Sequence, residues 1–326
     1  MPVVHRRLNL LGGRFDFESN SPELLHLVDA AYAGLPSHQF LPRPPRFRIR
    51  LRLTPKRAVP ESRIHPAGRF QPPAISMIRG GGILGSATDS STFAVLSPEK
   101  REALVSVSRS MLRFPYHVRY ELIEFAVFTL ASRAQRLVPL HAACVGLHGR
   151  GVLLMGPTGA GKTTVALHCL LNGFDFLSED SVFVAPHSMK ATGIANFIHV
   201  RAESLRWLKG SPESSLIRGS PIIRRRSGVK KFEVDLRDKR VNLAQKPLKI
   251  TGIAFLTSQD ASAGPILRPL AKATARAKLA DMQGYGATLP SWRGFKERAS
   301  QLTLFEARRG QHPHETVEAL RSFLDP

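Results

Sequence analysis

An apolar run that leads directly into a glycine-rich loop is the feature that most constrains the fold of this chain. Residues 151–164 read GVLLMGPTGAGKTT, and the spacing from Gly156 to Gly161-Lys162-Thr163 is that of a Walker A loop. Such a match needs a strand before it and a helix after it, and the apolar and helical patterns on the two flanks fit. The sequence therefore predicts a strand, a phosphate-binding loop (P-loop) and a helix that together bind a nucleoside triphosphate.

The loop positions suit phosphate chemistry. Glycines allow backbone conformations in which successive N–H groups point at phosphate oxygens, and the start of the next helix adds partial positive charge. Lys162 is expected to reach the β- and γ-phosphates of ATP, and the Thr163 hydroxyl to bind Mg²⁺. The expected nucleotide-binding residues are Gly156, Pro157, Thr158, Gly159, Ala160, Gly161, Lys162, Thr163 and Thr164.

Composition limits the class of protein. A chain of 326 residues with 43% hydrophobic residues is large enough for two domains with buried cores. Its two cysteines, Cys144 and Cys169, have no metal-ligand spacing and form no disulfide framework, as is typical of a reducing compartment. The N-terminus lacks the apolar core of a signal peptide, and the most apolar stretch, 122–131, contains Glu124 and is too short to span a bilayer. We therefore expect a cytoplasmic protein without a transmembrane segment.

The chain is strongly basic, with a net charge of +22. This charge favours anionic partners, although arginine-rich coding from a GC-rich genome is an alternative explanation. Residues 46–53 alternate arginine with apolar residues, which predicts a strand with one buried and one basic face. Because that face has no aromatic residues for base stacking, a solvated sheet surface is favoured over contact with nucleic acid. The basic stretch 224–231 is either a lid that brings Lys230 or Lys231 to the phosphates or a solvated loop.

Two domains are expected. Residues 1–135 are predicted to form a smaller α+β accessory domain, and residues 136–326 an α/β P-loop ATP-binding kinase domain. In the first, we expect strands at 14–17 and 46–53, loops with short strands over 55–92, and helices at 21–34, 97–112 and 116–133. In the second, we expect strands at 138–145, 151–155, 174–177, 182–184, 231–234 and 250–257, and helices at 162–171 and 315–324.

Two carboxylates, Glu179 and Asp180, follow the strand predicted after the P-loop helix. In a parallel α/β sheet, the carboxyl edge of the strands binds ligands and also carries the P-loop. One carboxylate is expected to help hold Mg²⁺, and the other to accept a proton from an attacking hydroxyl or water. A solvated acidic pair at a strand end is the alternative.

His141, the loop 156–163, the helix that stops at Gly173, and Leu177-Ser-Glu-Asp180 together resemble the catalytic core of HPr kinase/phosphorylase. They resemble even more closely the HPr-kinase-related proteins found outside sugar regulation. The resemblance covers residues 137–185 well and the rest of the C-terminal half loosely. It implies a kinase core of the type shared with phosphoenolpyruvate carboxykinase, and ATP- and Mg²⁺-dependent phosphorylation of a serine on a protein or peptide.

The resemblance also implies roles for individual residues. Lys162 and Thr163 would bind phosphate and Mg²⁺. Glu179 takes the place of the carboxylate that acts as base, and Asp180 that of the second acidic residue, expected at the metal together with Thr163. His141 takes the place of the histidine that flanks the base. Its alternative role is that of a partly buried strand histidine bonded to the backbone.

Three departures from the family pattern matter. Glu179 stands where HPr kinase has aspartate, which leaves open whether Glu179 and Asp180 exchange roles. Ala142 stands where HPr kinase has glycine. Residues 197–203 do not match the phosphorylase signature, and Glu203 is a weak match to the further Mg²⁺-binding glutamate. This mismatch argues against phosphorylase activity.

The sequence thus favours an ATP-dependent serine kinase that acts on a protein or peptide. A small-molecule kinase is a second reading, in which basic residues hold a phosphorylated or carboxylated metabolite. A nucleotide-dependent binding or assembly module without phosphoryl transfer is a third. The acceptor, the role of the N-terminal domain and the oligomeric state, a homo-oligomer included, are left open.

Overall fold

A computed structural model describes residues 3–55, 72–237, 241–261 and 264–325. The chain divides into two compact units, each built from three segments of sequence. The first unit comprises Met1–Ala33, Arg43–Gln135 and Arg224–Val229, and the second comprises Gly34–Pro42, Arg136–Ile223 and Lys230–Pro326. The single boundary after residue 135 in the sequence analysis does not anticipate the two short segments 34–42 and 224–229.

The first unit contains a seven-stranded sheet with the order β1-β2-β3-β7-β6-β5-β4. Its strands are β1 (Val4–Leu10), β2 (Gly13–Ser19), β3 (Arg46–Thr54), β4 (Ser76–Gly80), β5 (Ile83–Ala87), β6 (Phe93–Ser97) and β7 (Glu102–Ser108). Strand β3 runs parallel to both β2 and β7. The helices of this unit are α1 (Pro22–Tyr32), a 3-10 helix (Arg109–Arg113), α2 (Pro115–His117), a π-helix (Val118–Ile123) and α3 (Glu124–Gln135). Of the predicted loop region 55–92, residues 56–71 lie outside the described part of the chain.

Strand β3 has the alternation that the sequence predicts. Phe47, Ile49 and Leu51 are buried, because alternate side chains of a strand point to the same face of the sheet. On the opposite face, Arg48 forms ion pairs with acidic residues of both neighbouring strands, at 3.3 Å to Glu18 and 3.3 Å to Glu102. The basic face of this strand therefore carries cross-strand ion pairs with β2 and β7.

The helix predicted over 97–112 is wrong. This region contains the end of β6, a turn, β7 and a 3-10 helix. Ala103, Val105 and Val107 are buried at every second position, which is the period of a strand. The Ser-Pro-Glu sequence that resembled a helix start forms the turn instead, with the Arg101 N–H bonded to the Pro98 carbonyl at 3.3 Å. The alternation of apolar residues outweighs the helix-start signal here.

The rest of the chain contains two further sheets and five α-helices within the described residues. The strands are β8 (Val138–His141), β9 (Ala143–Leu147), β10 (Arg150–Met155), β11 (Asp175–Ser178), β12 (Ser181–Ala185), β13 (Lys190–Gly193), β14 (Phe197–Val200), β15 (Ile222–Arg224), β16 (Lys230–Asp235), β17 (Leu248–Asp260), β18 (Leu267–Pro269) and β19 (Thr303–Arg309). The helices are α4 (Lys162–Leu171), α5 (Pro212–Arg218), α6 (Lys272–Met282), α7 (Trp292–Ala299) and α8 (Pro313–Leu324), with 3-10 helices at Ala202–Leu208 and Gly286–Thr288. Strands β14, β16 and β15 form a sheet of three, and the other nine form the main sheet.

The main sheet lies between two helical layers, so the unit is a mixed α/β fold. Along β10, Val152 and Leu154 belong to the core that contains residues of α4 and α8. Leu153 and Met155 belong to the core on the other face, which contains residues of α6 and α7. A strand buried on both faces reads as a continuous apolar run, which is what the sequence shows before the P-loop.

The main sheet is mixed, and not the parallel sheet that the sequence analysis assumed. Strand β10 is parallel to β17, and β17 is parallel to β19. Strand β9 is antiparallel to both β10 and β11. The predicted single strand 138–145 is also divided at Ala142 into β8 and β9, which pair with different neighbours.

The segment 34–42 joins the second unit through His38. This side chain is buried, and its ring nitrogens lie 2.7 Å from the Thr192 hydroxyl and 2.8 Å from the Ala244 carbonyl. Burial lowers the pKa of His38, partly opposed by the hydrogen bond to Ala244. Because a carbonyl only accepts, Nε2 carries the proton and Nδ1 accepts from the threonine.

The basic stretch 224–231 contains the turn between β15 and β16. Arg226 makes a bidentate ion pair with Glu121 within the first unit, at 2.7 Å and 2.6 Å. The same guanidinium donates to the Pro73 carbonyl at 2.6 Å. This arginine thus has defined partners, which its sequence context did not reveal. No helix in the described ranges is long and apolar enough to cross a bilayer.

The two faces of β3 predict different responses to mutation. Leu51→Ala removes fully buried methyl groups and is expected to lower the free energy of unfolding by about 2 to 5 kcal/mol. Arg52→Ala, at the exposed neighbouring position, is expected to change it by no more than about 0.5 kcal/mol. Urea denaturation followed by far-UV circular dichroism measures both. Equal losses in the two variants would contradict the assigned orientation of β3.

Candidate functional site

The P-loop lies between β10 and α4 and has the backbone that its glycines allow. Gly159 and Gly161 have φ angles of +89° and +97°, in a region that residues with side chains rarely adopt. Gly161 is the N-cap of α4, whose bounds are those that the sequence predicts. Residues 157–159 are exposed, so the loop presents its backbone and the amino end of a helix to solvent.

Lys162 is buried at the start of α4, and its ammonium is bonded to the loop itself. Nζ donates to the Gly156 carbonyl at 2.7 Å and to the Pro157 carbonyl at 3.3 Å. Burial lowers the pKa of Lys162, while the negative charge of Asp180 acts in the opposite direction. The ammonium is therefore held inside the loop and within the field of the carboxylate.

Thr164, in the first turn of α4, lies beside the segment that contains Glu203, the weak match to a metal-binding glutamate. The hydroxyls of Thr164 and Ser204 lie 3.0 Å apart. Glu203, directly before Ser204, is exposed, and Thr163 is half-buried. The loop, the helix amino end and the Lys162 ammonium together form a donor set that suits a polyphosphate. A threonine hydroxyl and a carboxylate are oxygen ligands of the kind that Mg²⁺ prefers.

Glu179 and Asp180 are adjacent in sequence but have different surroundings. Glu179 is 5% exposed, and both of its oxygens are engaged by His199. Oε2 accepts from the His199 backbone N–H at 3.0 Å, and Oε1 lies 2.7 Å from Nδ1 of the ring. The other ring nitrogen of His199 lies 3.3 Å from Glu233 Oε1. Glu179, His199 and Glu233 therefore form a buried triad, in which a histidine lies between two glutamates.

The triad favours a protonated histidine. Burial by itself lowers the pKa of His199, but the charges of and hydrogen bonds to Glu179 and Glu233 outweigh it and raise the pKa to about 9. Both ring nitrogens are donors only in the imidazolium form, and here each has a carboxylate acceptor. At neutral pH the His199 ring is therefore protonated.

Asp180, by contrast, is only half-buried. Its carboxylate Oδ1 lies 2.8 Å from His141 Nδ1, and the two side chains are 38% and 50% exposed. The β8–β12 register places His141 opposite Ser181, next in sequence to Asp180. The β9–β10 register pairs Ala143 with Leu154, so the residues just before β9 lie beside the start of the P-loop. The structure therefore brings Lys162, His141 and Asp180 together, and directs Glu179 into the interior.

His199 and Glu233 were missed in the sequence analysis. Both lie in strands, β14 and β16, that pair with each other and place these two residues opposite one another. The available signal for His199 was a histidine within the apolar strand β14, whereas Glu233 lies in β16 among other charged residues. Neither residue becomes informative until the pairing of the two strands is known. Within the described ranges, no group of three or more histidine, cysteine or acidic side chains is arranged to hold a metal ion on its own.

The triad predicts a loss of stability in alkali. Because the pKa of His199 is raised from about 6.5 in the unfolded chain to about 9 in the folded protein, its contribution is full below pH 6.5 and is lost as the pH rises through 9. The expected loss is on the order of 3 kcal/mol. Chemical denaturation between pH 6 and 10 measures it.

Glu233→Gln is the control for other groups that titrate in alkali. It removes one of the two carboxylates that raise the pKa of His199. The loss of stability still begins near pH 6.5, which the unfolded chain sets, but it should end at lower pH and be smaller in total. If the free energy of unfolding depends on pH identically in both proteins, the protonated triad is wrong.

Comparison with known proteins gives little beyond this geometry. No family model matches the chain, and no curated protein matches it. A solved structure of the Hpr(Ser) kinase/phosphatase from Coxiella burnetii is a distant structural neighbour, with 15% sequence identity and a TM-score of 0.27 over 57% of this chain and 89% of that one.

Proposed function

We propose that this protein is an ATP- and Mg²⁺-dependent kinase that transfers the γ-phosphoryl group to a serine hydroxyl on a protein or peptide. The observation that carries the proposal is the partly exposed Asp180–His141 pair. It lies beside a P-loop in which burial lowers the pKa of Lys162 and the negative charge of Asp180 acts to raise it. A phosphate-binding loop alone specifies binding, whereas a carboxylate accessible to a second substrate also provides for transfer. The resemblance of residues 137–185 to HPr kinase is the reason for choosing serine as the acceptor.

The donor groups of the loop suit the triphosphate. The P-loop N–H groups would hold the phosphate oxygens, and Lys162 would exchange its bonds to the Gly156 and Pro157 carbonyls for phosphate oxygens. The Thr163 hydroxyl would contribute an oxygen ligand to Mg²⁺. Bound Mg·ATP supplies the phosphoryl group and a cation that offsets its negative charge.

Asp180 is the better candidate for the base. Glu179 is buried and its oxygens are bonded to His199, so it is not available to an incoming hydroxyl. Asp180 would accept the proton of the serine hydroxyl as the new oxygen–phosphorus bond forms and the bond to ADP breaks. His141 would hold the carboxylate in position through its Nδ1 contact. Asp180 then takes the role of base that the resemblance implies for Glu179, while Glu179 stays bonded to His199.

Nucleotide binding is tested at Lys162. Replacing Lys162 with alanine removes the charged donor and is expected to weaken Mg·ATP binding by about 10- to 100-fold. Isothermal titration calorimetry measures the dissociation constant. Lys272→Ala, an exposed lysine at the start of α6, should bind as the wild type does. Equal affinity in the Lys162 and Lys272 variants would count against a nucleotide in this loop.

Transfer is tested at Asp180. Asp180→Asn cannot accept a proton, so kcat is expected to fall by about 10²- to 10⁴-fold, with Mg·ATP affinity changed much less. The assay uses [γ-³²P]ATP with a lysate of the host organism, followed by phosphoamino-acid analysis of the labelled band.

Asp281→Asn, an exposed aspartate of the same unit, is the matched control and should keep full activity. Label on serine that depends on Asp180 supports the proposal. ATP binding by the wild type without any labelled acceptor favours a binding module, and ADP release with a hydroxylated metabolite favours a small-molecule kinase. Either result would overturn the serine-kinase assignment.

A further inference from the structure

Gln283 is a buried amide that neither the sequence motifs nor the reaction above uses. It directly follows α6 and is 3% exposed. Its Oε1 accepts a hydrogen bond from the His141 backbone N–H at 2.7 Å, and its Nε2 donates to the His141 carbonyl at 3.3 Å. One side chain thus satisfies both backbone groups of the residue that contacts Asp180.

The place of β8 in the sheet explains why a side chain does this. Strand β8 is the last strand in its path through the sheet, with β12 as its neighbour on one side. On the other side, the amide of Gln283 makes the two bonds that a further strand would make. A buried backbone N–H or carbonyl without such partners would cost free energy. The Gln283 amide avoids this cost by bonding to both groups of His141.

The turn that carries Gln283 is itself held against β8. A Cβ on Gly286 would lie 2.6 Å from the Pro139 carbonyl oxygen, so only glycine allows this close approach. The Ala287 N–H donates to the Gln283 carbonyl at 2.8 Å and fixes the turn internally. The amide is therefore held by the fold and does not depend on its contact with His141 for its position.

Gln283 also touches the strand that leads into the P-loop. Its Nε2 lies 4.0 Å from the Sδ of Met155, the residue directly before Gly156. A single buried amide thus contacts both the backbone at His141 and the end of β10. These are the two elements whose relative placement sets the distance between the carboxylate and the phosphates.

We infer that Gln283 is a positioning residue for phosphoryl transfer: it fixes the His141 backbone, and through it the Asp180 carboxylate, relative to the P-loop. This inference rests on the proposed function for its effect on rate. Displacement of reacting groups by about 1 Å can lower a rate about 100-fold, so loss of this amide is expected to act on kcat. It leaves the loop's own donors unchanged, so the KM for ATP should change little.

The first test replaces Gln283 with methionine, which has a similar shape and cannot form the two hydrogen bonds. We expect kcat to fall about 10- to 100-fold with the KM for ATP within about twofold of the wild-type value. Gln301→Met, at an exposed position of the same unit, is the matched control and should behave as the wild type does. An unchanged kcat per ATP-binding molecule in Gln283→Met would overturn the inference, even if that variant is less stable.

A double-mutant cycle tests whether Gln283 acts through His141. In a His141→Ala background, Gln283→Met should lower kcat little further, because the side chain that it positions is already absent. A full additional loss would mean that Gln283 acts elsewhere and would overturn the inference. If Gln283→Met does not fold, Gln283→Leu serves in its place, since its apolar side chain also lacks both hydrogen-bonding groups.

A spectroscopic measurement separates this inference from the proposed function. The imidazole ¹H–¹³C correlation of His141, assigned by its loss in His141→Ala, should move in Gln283→Met and stay in place in Gln301→Met. If the wild type transfers no phosphoryl group but this signal moves, the serine-kinase proposal fails while the positioning contact stands. A signal that does not move in Gln283→Met overturns the positioning role directly.

Discussion

The hydrogen-bond register of β9 is the constraint on which the candidate site depends. This strand is antiparallel to both β10 and β11, with Cys144 opposite Leu153 on one side and Ser178 on the other. The end of β10 therefore delivers the P-loop, and the end of β11 the acidic pair, to the same place. A shift by one residue would turn every side chain of β9 to the opposite face of the sheet, so burial on both faces holds this register in place.

Local sequence patterns predicted most of the helices and strands, but they could not predict which strands pair with one another. Helix α4 has its predicted bounds because the glycine loop fixes its start and Asn172-Gly173 its end. The expectation of a parallel sheet was wrong because β9 follows β8 after a break at a single residue and reverses into β10 through a tight turn. The 97–112 helix failed because a helix-start signal of a few residues was weighted above a period-two apolar pattern.

The sequence named polar residues of the candidate site but not their partners. Lys162, His141 and Asp180 could be named because each belongs to a motif or lies at a strand end. His199, Glu233 and Gln283 could not, since each depends on contacts between residues that are 20 to 142 positions apart in sequence. A buried polar side chain becomes informative only when its partner is known, and a single sequence does not provide that partner.

The presence of glutamate, and not aspartate, at position 179 can be explained once its partner, His199, is known. The carboxylate must reach both the backbone N–H and the ring of His199, which lies on another strand, and it does so while buried. Shortening it to aspartate would withdraw the carboxylate by about one methylene from the imidazolium and leave a buried cation less well paired, which is costly. On the proposed assignment, the longer side chain of Glu179 binds His199 in the interior, and Asp180 faces the acceptor. On that assignment, the departure from the HPr kinase pattern gives two adjacent carboxylates different roles. Glu179 balances the charge of the buried His199 ring, and Asp180 accepts a proton.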